Sequence, residues 1–201
     1  MFSTIMDFGV TQELPEVVSL SSVTLDDDPT CDDGRLPYLE ASGEQAMDVH
    51  FSDQPAEVRH PSIFLAGPTP RSPDVSSWRP QALDLLRGLG FAGMVLVPER
   101  RDWTVRFDYL DQVEWEFSGL EGCSVIAFWL PRQLPDLAGF TTNVEFGRYV
   151  GTGRCVYGRP DGAPHTRYLD WLYTRLTGKR PEVTLSATLK AAVEVTCPTG
   201  G

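Results

Sequence analysis

Short apolar runs alternating with amphipathic segments predict an α/β protein, a flavodoxin-like, doubly wound, five-stranded parallel sheet. Two observations carry this expectation. The runs at 62–66, 93–97, 124–130 and 154–157 are apolar almost throughout, as strands covered on both faces must be. Segments of helical period lie between them, long enough to return the chain to the same end of the sheet.

The elements follow in order. Ser62-Ile-Phe-Leu-Ala66 is a buried strand ended by Gly67-Pro68. A helix over 78–89 takes its cap from Ser76 or Ser77 and closes at Gly90. The second strand, 93–97, ends at Pro98-Glu99, and 100–107 is a loop. A helix over 108–120 places Leu110, Val113, Phe117 and Leu120 on one apolar stripe. The third strand stops at Pro131. A short helix over 142–150, a strand over 154–157 and a helix over 168–176 come next. A fifth strand near 182–184 and a helix over 186–195 complete the pattern.

Residues 1–47 differ from the rest. Residues 1–60 hold 13 acids and two bases, so the whole net charge of −11 falls there, while 61–201 is neutral. The expected organisation is an acidic, partly flexible extension over 1–47, with one possible strand at 17–25, and an α/β domain over 48–201. The extension is a candidate contact for a protein partner. This charge distribution argues against binding a nucleic acid polymer by counterion release. No apolar run approaches the roughly 20 residues of a membrane span. Residues 1–10 carry Asp7 and no basic region, unlike a secretory signal. Cys31, Cys123, Cys155 and Cys197 form no CxxC pair, so reduced thiols in a cytoplasmic protein are expected. His50, His60 and His165 are isolated, and no phosphate loop, dinucleotide fingerprint or HExxH is present. No metal and no redox cofactor are expected.

In a doubly wound sheet, chemistry sits beyond the C-terminal strand ends. The segments there are 67–72, 98–102, 129–132 and 139–147. Phe64, Trp78 and Trp129 are candidates to stack on a planar base. Arg71, Ser72, Arg79 and Arg132 suit a phosphate or carboxylate near the Gly67-Pro68 turn. Asn143 is a candidate donor to a sugar hydroxyl. Thr142-x-x-Glu145 also fits a helix capping box, in which Glu145 would bond to its own helix start.

The ordered pattern IFLAGPTPR over 63–71, Trp78-Arg79, Val97-Pro-Glu99, Gln112-x-x-Trp115-Glu116, FWLPR over 128–132 and GFTTNVEFG over 139–147 resembles the nucleoside 2-deoxyribosyltransferase-like family, in a divergent branch. The resemblance covers roughly 48–195. It implies cleavage or transfer at the N-glycosidic bond of a nucleoside or nucleotide. It implies Glu145 as nucleophile, forming a glycosyl-enzyme, and Glu116 as the acid serving the departing base. Carboxylates suit an oxocarbenium-like transition state, because a nearby anion offsets the developing positive charge. It also implies a homo-oligomer. Three readings stay open at this point: a transferase, a nucleotide N-glycosidase, and a non-catalytic nucleotide-sensing or interaction module, which the acidic extension favours.

Overall fold

The computed structural model describes residues 46–55, 57–70, 74–101 and 108–196. The extension, the possible strand at 17–25, Cys31, Cys197, Arg71 and Ser72 lie outside the described residues.

Five strands form one parallel sheet: β1 (Asp48–Phe51), β2 (Ser62–Ala66), β3 (Met94–Val97), β4 (Val125–Trp129) and β5 (Cys155–Gly158). Their order is β1-β3-β2-β4-β5. The order reverses at β2, so the crevice for a ligand is expected beyond its C-terminal end. The helices are α1 (Arg79–Gly88), α2 (Tyr109–Gly122), α3 (Phe140–Tyr149), α4 (Arg167–Thr177) and α5 (Leu185–Thr196).

Alternation along the strands divides the core in two. Ile63, Leu65, Val95, Val97, Val125, Ala127 and Trp129 pack with Leu86 of α1 and Leu189 of α5. Phe64, Ala66, Leu96, Ile126, Phe128 and Tyr157 pack with Leu120 of α2, Phe146 of α3 and Tyr173 of α4. Cys123 and Cys155 are buried free thiols on this second side, and burial pushes them up to about 11 and about 12.

Three local expectations are corrected. The strand near 182–184 reduces to a single parallel bridge between Gly158 and Glu182. The fifth strand is instead Asp48–Phe51, an edge strand all of whose residues are only partly buried. Edge strands tolerate charge, and here Asp48 pairs with His50 and Arg59, so no apolar run announces the strand. On α2 the stripe read as core is largely exposed: Leu110 is 66%, Val113 39% and Phe117 44% accessible. The helix lies on the sheet through Gly119 and Leu120, because a Cβ at Gly119 would come within 2.9 Å of the Phe64 ring. Finally, α3 begins at Phe140, with Gly139 as N-cap at φ 65°, a left-handed conformation that favours glycine. Thr142 therefore sits inside the first turn and Glu145 in the helix body. The capping box does not form.

Arg79 opens α1 and is 1% exposed. Its guanidinium donates to the carbonyls of Leu65 (3.1 Å) and Gly67 (2.8 Å), to Thr69 Oγ1 (3.2 Å) and to Glu99 Oε1 (2.6 Å). One side chain thus ties the end of β2 and its loop to the end of β3. Burial lowers its proton affinity, and the Glu99 carboxylate opposes that. Removing one partner of such a pair strands a buried charge. Arg79→Met is expected to lower the free energy of unfolding in urea by about 3–5 kcal/mol, and adding Glu99→Leu to restore much of it. A single-variant loss below about 1 kcal/mol would show the pair to be no stronger than a surface ion pair.

Candidate active site

The loop after β2 turns sharply because Gly67 has no side chain. A Cβ there would strike the Trp129 carbonyl oxygen and lie 2.8 Å from the Trp78 ring. Trp78 holds the same loop from below, its indole N–H donating to the Pro68 carbonyl at 3.1 Å. Opposite this loop, the left-handed Gly139 starts α3 so close to Pro68 that a Cβ would lie 3.1 Å from it. Between loop, α2 and α3 opens a cavity of about 260 Å³. That is near the small end of the range for organic ligands, roughly 300–1,000 Å³.

The cavity lies where the strand order reverses. Of the residues singled out from sequence, Phe64, Gly67, Pro68, Arg79, Gln112, Glu116, Thr142 and Glu145 line it. The others stand elsewhere. Trp78 and Trp129 are 7% and 6% exposed and pack on the opposite face of the sheet from Phe64. These three rings cannot sandwich a base, because Phe64 has the opposite strand parity to the face that Trp129 occupies. Glu99 is held by Arg79 and by the Ser77 hydroxyl, which donates to it at 2.8 Å. Arg132 is 5% exposed and donates to the His165 carbonyl at 2.9 Å and to Asn143 Oδ1 at 2.6 Å. It ties β4 to α3 and to the loop before α4. Neither Arg132 nor Asn143 lines the cavity.

Several lining residues were not anticipated as such, notably Tyr109, Val113 and Phe140. The face of α2 turned to the cavity is Tyr109, Gln112, Val113 and Glu116, at helical spacing. The sequence expectation put Val113 in the core. Trp115, one residue before Glu116, donates its indole N–H to the Gln54 carbonyl at 2.9 Å and tilts against Phe64, with ring centroids 6.1 Å apart.

Two carboxylates face the cavity and differ in support. Glu116 accepts a hydrogen bond from the Gln112 amide at 2.9 Å, and Gln112 accepts one from Arg100 at 3.3 Å. Glu145 accepts no hydrogen bond from any described residue, although it is mostly buried. Burial raises the proton affinity of Glu116, while the Gln112 bond and the Arg79 charge lower it. Glu145 is pushed up to about 7, first by burial and then by the charge of Glu116, against the pull of Arg79. Both carboxylates thus hold a proton more tightly than an ordinary glutamate. Among the described residues, no three His, Cys, Asp or Glu side chains converge to hold a metal ion. No helix among them is long and apolar enough to cross a membrane.

A carboxylate that accepts no hydrogen bond from a described residue, lining a cavity with a second, oriented carboxylate, can attack or shield a cationic carbon while its neighbour manages a proton. No curated protein matches the chain significantly. Residues 60–163 match the family model described as nucleoside 2-deoxyribosyltransferase like, a span running from β2 through β5 that holds every cavity-lining residue. On that match, the chain belongs to the nucleoside 2-deoxyribosyltransferase-like family, whose chemistry is glycosyl transfer at the nucleoside level.

Proposed function

We propose that this chain breaks the N-glycosidic bond of a nucleoside, with Glu145 bonding to the anomeric carbon and Glu116 serving the proton of the leaving base. The observation that carries the reading is the placement of the two carboxylates. Two carboxylates of different support line one cavity, and burial raises the proton affinity of each. Such separation of acid and base roles is typical of glycosidic chemistry. The bond from Gln112 fixes Glu116 at the cavity wall, while Glu145 keeps both oxygens for a substrate.

Glycosylation of Glu145 needs its ionised form. A sugar cation forming beside it favours that form, and Glu116 supplies the proton that the departing base needs. Water or a second base releases the sugar in a second step. The arginines among the described residues favour a nucleoside over a nucleotide. Arg79 and Arg132, two arginines suited to a phosphate, direct their donors at backbone carbonyls and at Glu99 and Asn143. A homo-oligomer belongs to the same reading. Leu110 and Val144, 66% and 74% exposed, are large apolar side chains on the two helices that wall the cavity.

Incubation with deoxynucleosides and nucleosides should release free base, and Glu145→Gln should reduce that release by several powers of ten with the fold intact. Mass spectrometry after trapping with a 2-fluoro nucleoside should find the sugar on Glu145. Absence of base release from every nucleoside would favour a sensing module. For kcat/KM, an acid limb is expected with an apparent pKa near 7, where Glu145 ionises.

The same carboxylate should shape stability. Its folded proton affinity lies above the ordinary 4.5 of a glutamate, at about 7. The folded state therefore binds the extra proton between those values. The stabilisation this gives is complete below about pH 4.5 and lost as the pH rises through about 7. Glu145→Gln should match the parent protein near the acid end of this window. Above it the variant should be the more stable, by on the order of 2 kcal/mol after allowance for partial exposure. Urea melts at both ends of the window would show the crossover, and parallel curves would refute the raised value.

A further inference from the structure

We propose that the cavity selects nucleosides whose base carries a formal positive charge on its ring and no phosphate on the sugar, such as pyridinium N-glycosides. This deepens the N-glycosidic reading and rests on it. Among the described residues lining the cavity, the acidic side chains are Glu116 and Glu145, and the basic one is Arg79. Arg79 offers a ligand little, because it is 1% exposed and its guanidinium is bonded to three carbonyls, Thr69 and Glu99. The remaining wall includes three aromatic rings. Phe64 lies at the floor, and Tyr109 and Phe140, 75% and 64% exposed, stand at the mouth. Aromatic faces combined with carboxylates form an environment that favours a delocalised cation. A phosphate entering the same space would meet the charges of Glu116 and Glu145.

The chemistry agrees with this environment. When the ring nitrogen is already cationic, the C–N bond breaks with its electron pair passing to that nitrogen, and the base leaves neutral without taking a proton. The Glu145 carboxylate forms an ester to the anomeric carbon, so one cation and one anion become two neutral products. Water then cleaves the ester, giving the free sugar and the Glu145 carboxylic acid. A neutral purine or pyrimidine would instead need a proton delivered by Glu116 as it leaves. A cationic base also offsets the repulsion between the two carboxylates, which a neutral base leaves in place.

The test uses the full chain and separates binding from reaction. Calorimetry compares 1-methylnicotinamide, a cation, with nicotinamide, its neutral twin. Base release is followed in parallel from nicotinamide riboside, its 5′-monophosphate and inosine. Expected are at least about tenfold tighter binding of the cation, a gap that added salt and Glu116→Gln both narrow, and faster release from the riboside than from its monophosphate. Equal binding of the twins, or preference for the monophosphate, with base still released from some nucleoside, overturns the charge assignment and leaves the glycosidic reading standing. Release from none of the nucleosides overturns the glycosidic reading, and the substrate assignment with it, whatever the calorimetry shows.

Discussion

The site depends on one buried guanidinium. Arg79 opens α1 on one side of the sheet, yet its donors bond to the main chain of β2 and the loop that follows it. Its ion pair reaches the end of β3 through Glu99. A bare charge at 1% exposure would be prohibitive. Fixed carbonyl dipoles and a carboxylate make it tolerable, and they also fix the wall of the cavity. A lysine could carry the charge but not the fork that joins three carbonyls, a hydroxyl and a carboxylate.

That guanidinium also sets the electrostatics. Arg79 lowers the proton affinity of both Glu116 and Glu145 without being available to bond either one in place of a substrate. Burial acts the other way on both, and the charge of Glu116 adds to it at Glu145. The outcome is a raised proton affinity at both, with Glu145, which accepts no hydrogen bond from a described residue, pushed up to about 7. Had α3 begun at Thr142, as its capping-box pattern suggests, Glu145 would have been tied to its own helix end. Gly139 prevents this. Its left-handed backbone starts the helix two residues sooner and carries Glu145 into the helix body beside the cavity.

Much of the fold was legible because four strands are buried on both faces and are therefore written as apolar runs. The fifth was not, because Asp48–Phe51 is an edge strand whose charged residues pair with one another and with Arg59. Among the candidate residues, those after β2 were readable from position, whereas Glu116 and the role of Glu145 were legible through the family resemblance. Trp78, Trp129 and Arg132 were not, since an aromatic ring or arginine at a strand end has the same sequence signature whether it faces a ligand or the core. Only strand parity and hydrogen-bond partners separate the two cases, and both are tertiary facts.

The misread stripe of α2 is informative in the same way. Leu110, Val113 and Phe117 have the spacing of a core face, but the helix is rotated about its axis so that Gly119 meets Phe64. A larger residue at Gly119 would lift α2 from the sheet, and the rotation is the way a close approach is reached without a clash. The same rotation turns Tyr109, Gln112, Val113 and Glu116 toward the cavity. The small residue that brings the helix near the sheet thus also delivers the second carboxylate to the site. Exposure of the remaining apolar side chains follows directly from that geometry, since one helix cannot present the same stripe to the sheet and the intervening turn to a cavity.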